Sequence, residues 1–156
     1  MKEINLSVNG NHVSVDTDPD TPLIYVLRND LDYKGAKLGC ALEQCGACIV
    51  LVDGEPTNSC VRAASEFEGM HIETVEGFGS PDKMSEVQQV FAEENVAQCG
   101  YCTAGIVCSV TAMFRKTRNP SDEHVKETLN RHLCRCGSHS RILDAVNLSL
   151  IHISEP

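Results

Sequence analysis

Residues 39–48 read Gly39-Cys40-Ala41-Leu42-Glu43-Gln44-Cys45-Gly46-Ala47-Cys48, a C-x4-C-x2-C stretch, and a fourth cysteine, Cys60, follows after eleven intervening residues. The first three have the spacing of plant-type 2Fe-2S sites. Thiolates wrapped around a bridged two-iron core carry negative charge that backbone N–H groups must offset, so the chain between them has to bend tightly. Gly39 and Gly46 are expected to provide the bend, while Ala41 and Ala47 keep the approach close. Cys60 then closes the site from a separate segment.

Outward from this loop the sequence has the period of strands. Ile4, Leu6 and Val8 alternate with polar residues, Asn9-Gly10 supplies a turn that accepts positive φ, and Val13 and Val15 alternate again, which predicts a hairpin. Thr21 as cap and Pro22 at the first helical position predict a helix whose stripe of Leu23, Val26, Leu27 and Leu31 ends before Gly35. Ile49 to Val52 is a short apolar strand closed by Asp53-Gly54, and His71 to Val75 is a weaker one. Residues 1–76 thus form a unit of strands packed on one helix. Gly77, Gly79, Ser80 and Pro81 have no period and break regular structure, so residues 77–83 are assigned as a linker. Residues 84–147 are helical. Ser85 with Gln88 has the form of a capping box for a helix to about Glu94, Gly105 to Lys116 is a second helix, Ser121 caps a third to about Arg131, and Ile142 to Leu150 is a fourth. The fold class is α+β.

The helical half carries its own cysteines, Cys99-x2-Cys102 and Cys134-x-Cys136, each pair at a helix boundary where free N–H groups can face anionic sulfur. Two antiparallel helices would bring these loops together. Eight cysteines divide four and four, and Cys108, inside an apolar helical run, is expected to be a buried small hydrophobe. His132 and His139 flank the last pair and could tune it by hydrogen bonding. The six histidines contain no H-x3-H ligand pair. The competing reading is a two-zinc structural or interaction module. Zinc motifs, however, usually pair C-x2-C units and do not favour a C-x4-C loop of small residues.

The rest of the composition narrows the function classes. The 156-residue chain has 42% hydrophobic residues, no Trp and seven Phe and Tyr in all, so its core is adequate in amount but poor in large rings. A formal charge of -9 argues against a nucleic-acid surface, which would need clustered Lys and Arg. The longest apolar stretch, Ala104 to Phe114, is well short of the roughly 20 residues needed to span a bilayer, so no direct membrane insertion is expected. Met1 to Val8 lacks the basic start and apolar run of a secretory signal, so the expected location is cytoplasmic, with export only alongside a partner.

The segments Gly39 to Cys48, Gln98-Cys99-Gly100-Tyr101-Cys102 and Leu133-Cys134-Arg135-Cys136-Gly137 together resemble the iron-sulfur small subunit of the molybdenum hydroxylases, the xanthine oxidase family, over about Ile4 to Val146. The resemblance implies a β-grasp ferredoxin-like domain followed by a four-helix 2Fe-2S-binding domain. It puts one 2Fe-2S cluster on Cys40, Cys45, Cys48 and Cys60 and a second on Cys99, Cys102, Cys134 and Cys136. It also implies an electron-transfer role beside a large subunit that holds molybdopterin, expected as the cytosine dinucleotide, with Gln98 and Cys136 contacting the pterin. A flavin subunit or a cytochrome would take the electrons, and no catalytic residue falls on this chain. Without the resemblance, Gln98 reads as a loop-capping amide. Cys136-Gly137-Ser138-His139 is similar to the Cys-Gly-Thr-His form of nicotinate and isoquinoline-oxidising members, which implies an N-heterocycle or aldehyde as substrate. Many members have Gly and Pro where this chain has Ala41 and Ala104. Residues 148–156 fit the family poorly, resemble translated adapter sequence, and are set apart as an atypical tail.

Overall fold

The computed structural model describes residues 1–154; Glu155 and Pro156, the end of the expected tail, lie outside the described residues. The predicted hairpin forms as β1 (Lys2–Val8) and β2 (Asn11–Thr17), paired antiparallel in full register from Lys2 opposite Thr17 to Val8 opposite Asn11. Asn9 and Gly10 both take positive φ, 50° and 79°, as a two-residue hairpin turn demands.

The expected helix is α1 (Leu23–Tyr25), which widens at once into a π-helical segment, Val26–Asp30. Pro22 is its N-cap and no side chain caps it, so Thr21 does not play the capping part expected of it. Thr21 Oγ1 instead lies 3.3 Å from Thr17 Oγ1.

β3 (Ile49–Val52) and β5 (His71–Glu73) form as strands, and between them lies β4 (Glu55–Asn58), which the sequence pattern did not reveal. The sheet order is β2-β1-β5-β3-β4, with β1 and β5 parallel and the other pairs antiparallel. β4 is therefore an edge strand, where Pro56 is tolerated and no apolar alternation is needed. β5 ends before the expected Val75 because Thr74 N–H donates to Asn9 Oδ1 at 2.8 Å and Val75–Gly77 turns as a 3-10 helix. One sheet face buries Ile4, Leu6, Val50 and Ile72 against Leu23, Leu27 and Phe67, the β-grasp arrangement implied above.

Helices α2 (Glu86–Glu93), α3 (Thr103–Lys116), α4 (Asp122–Leu129) and α5 (His139–Ser154) make the four-helix unit. The predicted capping box is present: Gln88 N–H donates to Ser85 Oγ and Ser85 N–H to Gln88 Oε1. Ser121 caps α4 by accepting from His124 N–H. α5 runs past the expected end near Leu150; Leu148 and Leu150 pack on the helical core, and Ser149 is buried with its hydroxyl on the Ala145 carbonyl at 2.9 Å.

A third cluster joins the halves. Ile49 and Leu51 of β3 meet Cys108 and Ala112 of α3, with Val75 and Phe78 alongside. Cys108 is fully buried, as expected, and burial pushes its thiol far above the ordinary range. Among the described residues no helix is long and apolar enough to cross a membrane.

Candidate metal centres

The loop 39–48 gets its shape from backbone conformations that L residues resist. Ala41, Glu43 and Gly46 all lie at positive φ, 55°, 58° and 76°. Gly46 bends as expected, but Ala41 bends as well, at the position where many relatives of the resembled family carry glycine. Gly39 serves close approach instead: a Cβ there would stand 2.6 Å from Cys45 Sγ.

This winding turns amides onto sulfur. Leu42, Gln44 and Cys45 N–H groups donate to Cys40 Sγ at 3.3, 3.3 and 3.4 Å, and Cys40 N–H donates to Cys45 Sγ at 3.4 Å. The Gln44 amide, helped by those of Leu42 and Cys45, draws the Cys40 thiol down to about 7. Cys48 lies on the buried side of the loop; burial, followed by the adjacent Cys60 thiol, pushes it up to about 12. Its Sγ also faces Asn58 Oδ1 at 3.6 Å, a contact that β4 supplies.

The second set lies where α3 starts and beyond the end of α4, and the two loops meet around one small cavity. Cys99, Cys102, Cys134 and Cys136 all line that cavity. The Tyr101 amide, then Cys136, lowers the Cys99 thiol, whereas burial, then Cys134, raises Cys102 to about 12. For Cys134 burial is the largest single influence and acts upward, but the Ser138 amide and Cys102 outweigh it and hold the thiol below its ordinary value.

Cys99, Cys102, Cys134 and Cys136 thus line one small cavity, while in the other loop Cys40 and Cys45 exchange amide-to-sulfur hydrogen bonds and Cys48 and Cys60 are buried together. Four thiols in each half suit a two-iron core, in which each iron takes two thiolates. The small-residue loop, the amides on Cys40 and the largely buried Cys48 and Cys60 fit that group as well.

The two sets are tied directly to each other. Leu133 N–H donates to the Cys45 carbonyl at 3.0 Å, so one hydrogen bond separates Cys45 from the residue bonded to Cys134. Tyr101 Oη donates to the Leu38 carbonyl at 2.6 Å. Gly105 lets α3 lie against the loop: a Cβ there would be 2.1 Å from the Gly46 carbonyl oxygen. The cysteine spacing announces none of these three ties, although Tyr101, Leu133, Cys45 and Gly46 lie within the motif segments.

Gln98 Nε2 donates to the Cys136 carbonyl at 3.1 Å, so its amide spans the second set's two loops as a capping amide would. The two flanking histidines are a packing residue and a surface residue, and neither hydrogen-bonds a cysteine sulfur among the described residues. His132 is buried with Nε2 2.8 Å from Ser109 Oγ, and its other edge faces Gly46, while His139 is exposed. The residue between Cys136 and His139 that does reach sulfur is Ser138, whose N–H donates to Cys134 Sγ at 3.4 Å.

Comparison with known proteins agrees with this geometry. Residues 6–75 match the 2Fe-2S iron-sulfur cluster binding domain family and residues 74–147 the 2Fe-2S binding domain family. The chain is 47% identical to a nicotinate dehydrogenase subunit from Pseudomonas putida over 143 residues, which cover 92% of this chain and 91% of the relative. It superimposes on a chain of quinoline 2-oxidoreductase from Pseudomonas putida with a TM-score of 0.90 at 33% identity, covering 97% of this chain and 94% of that one. On the aldehyde oxidoreductase of Desulfovibrio desulfuricans the TM-score is 0.92 at 33% identity, covering 98% of this chain but only 17% of that one. With each four-cysteine set inside its own matched domain and the relatives aligned end to end, the chain belongs to the 2Fe-2S electron-transfer subunits of the molybdenum hydroxylases, oxidoreductase complexes of the xanthine oxidase family.

Proposed function

We propose that this chain is the relay of a molybdenum hydroxylase acting on an N-heterocycle or an aldehyde, with one 2Fe-2S cluster on Cys40, Cys45, Cys48 and Cys60 and the other on Cys99, Cys102, Cys134 and Cys136. The observation that carries the reading is a cavity lined by four cysteines beside an amide-wrapped cysteine loop, the two joined by the Leu133 to Cys45 hydrogen bond. Hydroxylation of a carbon with oxygen from water, R–H + H2O → R–OH + 2 e⁻ + 2 H⁺, releases two electrons. The clusters, when bound, supply two one-electron carriers. The chain's own residues do the holding: amides of residues 42–45 offset the charge on Cys40, and the Cys45 carbonyl and Leu133 amide keep the two sites at a fixed separation.

Substrate class rests on the names of the relatives, which include nicotinate dehydrogenase and quinoline 2-oxidoreductase, and on the Cys136-Gly137-Ser138-His139 sequence. The aldehyde oxidoreductase that carries this fold as a small part of one long chain supports a separate large subunit here as the holder of molybdopterin. Gln98 and Cys136, both accessible enough to be reached, are assigned to contact the pterin, in its cytosine dinucleotide form. A flavin subunit or a cytochrome accepts the electrons. The functional units divide within residues 77–83. Cysteines that must stay reduced to take up iron favour the cytoplasm.

Iron, acid-labile sulfide and electron paramagnetic resonance of the purified chain test the assignment. Cys102→Ser should abolish one of two reduced-cluster signals and Cys45→Ser the other; a colourless, zinc-containing protein would overturn it.

A further inference from the structure

Ser138 is 3% exposed, yet its hydroxyl oxygen has no hydrogen-bond partner among the described residues. A buried hydroxyl left unpaired costs about 1–3 kcal/mol, so such a group calls for an explanation. The ordinary employment for a serine at this place is helix capping: Ser138 immediately precedes α5, and its carbonyl accepts from Ile142 N–H at 2.9 Å. A capping serine turns its oxygen to an amide two or three residues on. This one does not.

The hydroxyl has other company. Ser138 lines a small cavity together with Cys99, Cys102, Cys134 and Cys136, closed on its apolar side by Val96 and Ile142. Its backbone N–H already donates to Cys134 Sγ at 3.4 Å. Among the described residues two other buried side-chain polar atoms lack partners, Thr111 Oγ1 and His132 Nδ1, but neither residue lines this cavity.

We propose that the Ser138 hydroxyl is a hydrogen-bond donor to sulfur of the cluster held by the helical domain, alongside the Ser138 amide, and that it raises the reduction potential of that cluster alone. This rests on the reading of the second cysteine set as cluster ligands. A proton directed at sulfur stabilises the more negative, reduced form over the oxidised one, and hydrogen bonds to the sulfurs are a known determinant of such potentials. Ser138 moves no electron itself. It biases the site so that an electron arriving there is better held, while the cluster on Cys40 to Cys60 depends on a different set of amides.

The test is a redox titration of the loaded full chain, followed by paramagnetic resonance of both reduced clusters, for the wild type, Ser138→Ala and Ser138→Thr. At a fixed poise Ser138→Ala should lower the reduced-to-oxidised ratio of one cluster about tenfold, which is about 59 mV for a one-electron couple. The other cluster should be unmoved, and Ser138→Thr, which keeps the hydroxyl, should return the ratio to the wild-type side. An unchanged ratio in Ser138→Ala, an equal shift in both clusters, or no recovery in Ser138→Thr overturns the proposal. If Ser138→Ala loses the second cluster, Ser138→Gly decides: it removes the same hydroxyl with less bulk, and loss of the cluster there too would make the residue structural. A wild-type chain without a second signal would instead sink the ligand assignment on which the proposal rests.

Discussion

Ala41 sits in the backbone region that glycine favours. Ala41 is held at φ 55°, where an L side chain costs roughly 1–2 kcal/mol. Glycine there would lose about 0.5–1 kcal/mol more chain entropy on folding, leaving a net gain of about 0.5–1 kcal/mol for Ala41→Gly. Its melting temperature should rise by about 2 °C with both cluster signals retained, and a fall would show that the methyl group packs usefully. The family's glycine at this position was legible from the resemblance; that Ala41 nonetheless takes the left-handed turn was not, because alanine carries no local signal for positive φ. Cys108 lies at the legible end. Its place in an apolar helical run announced a core residue, and it is fully buried with its thiol pushed far up. Iodoacetamide should leave Cys108 unmodified in the loaded native chain and label it only after unfolding, as mass spectrometry of the peptide spanning residues 103–115 would record. Labelling in the native state would mean that β3 and α3 separate far more readily than their packing implies.

At the scale of elements, what could be read was what local chemistry dictates. Ser85 with Gln88, and Ser121 before two acidic residues, announced the starts of α2 and α4, because a side-chain oxygen beside free amides needs nothing from the rest of the fold. Ser85→Ala should therefore cost about 1 kcal/mol in denaturant unfolding, and Ser121→Ala a similar amount; no loss in either would mean that tertiary packing alone fixes those helix ends. Thr21-Pro22 carried an equally good start signal and misled. The chain enters α1 with Leu23 N–H donating to the Arg62 carbonyl and Ile24 N–H to that of Ser59, so a distant segment satisfies the amides that a cap would have taken. β4 was illegible for the converse reason: its residues are polar, and only an edge position in the sheet makes them a strand. Its contribution is nevertheless specific, since it carries Asn58 to the Cys48 thiol.

Across the whole molecule, the sequence divides more cleanly than the structure does. Composition and cysteine spacing separate a β half from a helical half, each with four thiols, but neither announces the contacts that make them one body. Ile49 and Leu51 are covered by Cys108 and Ala112, Arg115 makes a two-pronged ion pair with Glu73 at 2.8 and 3.1 Å, and Leu133 bonds to Cys45. The exposed Arg115 pair adds little by itself, about 0–1 kcal/mol, so burial of the β3 face against α3 carries most of the joint. The tightest point is Gly105 against the Gly46 carbonyl, and there both sides are backbone, unable to swing aside as a side chain would. Gly105→Ala places a methyl carbon 2.1 Å from that oxygen, so α3 must move away from the loop that joins Cys45 to Cys48. Overpacking of this kind costs about 1–3 kcal/mol. Because α3 begins beside Cys102 and the displaced loop carries Cys45 and Cys48, the disturbance reaches both thiol sets at once. The expected outcome is a lower melting temperature together with broadened or shifted signals from both clusters. Such a result would distinguish one interlocked body from two domains that merely adjoin, for which Gly105→Ala would alter the signal of the helical domain and leave the other untouched.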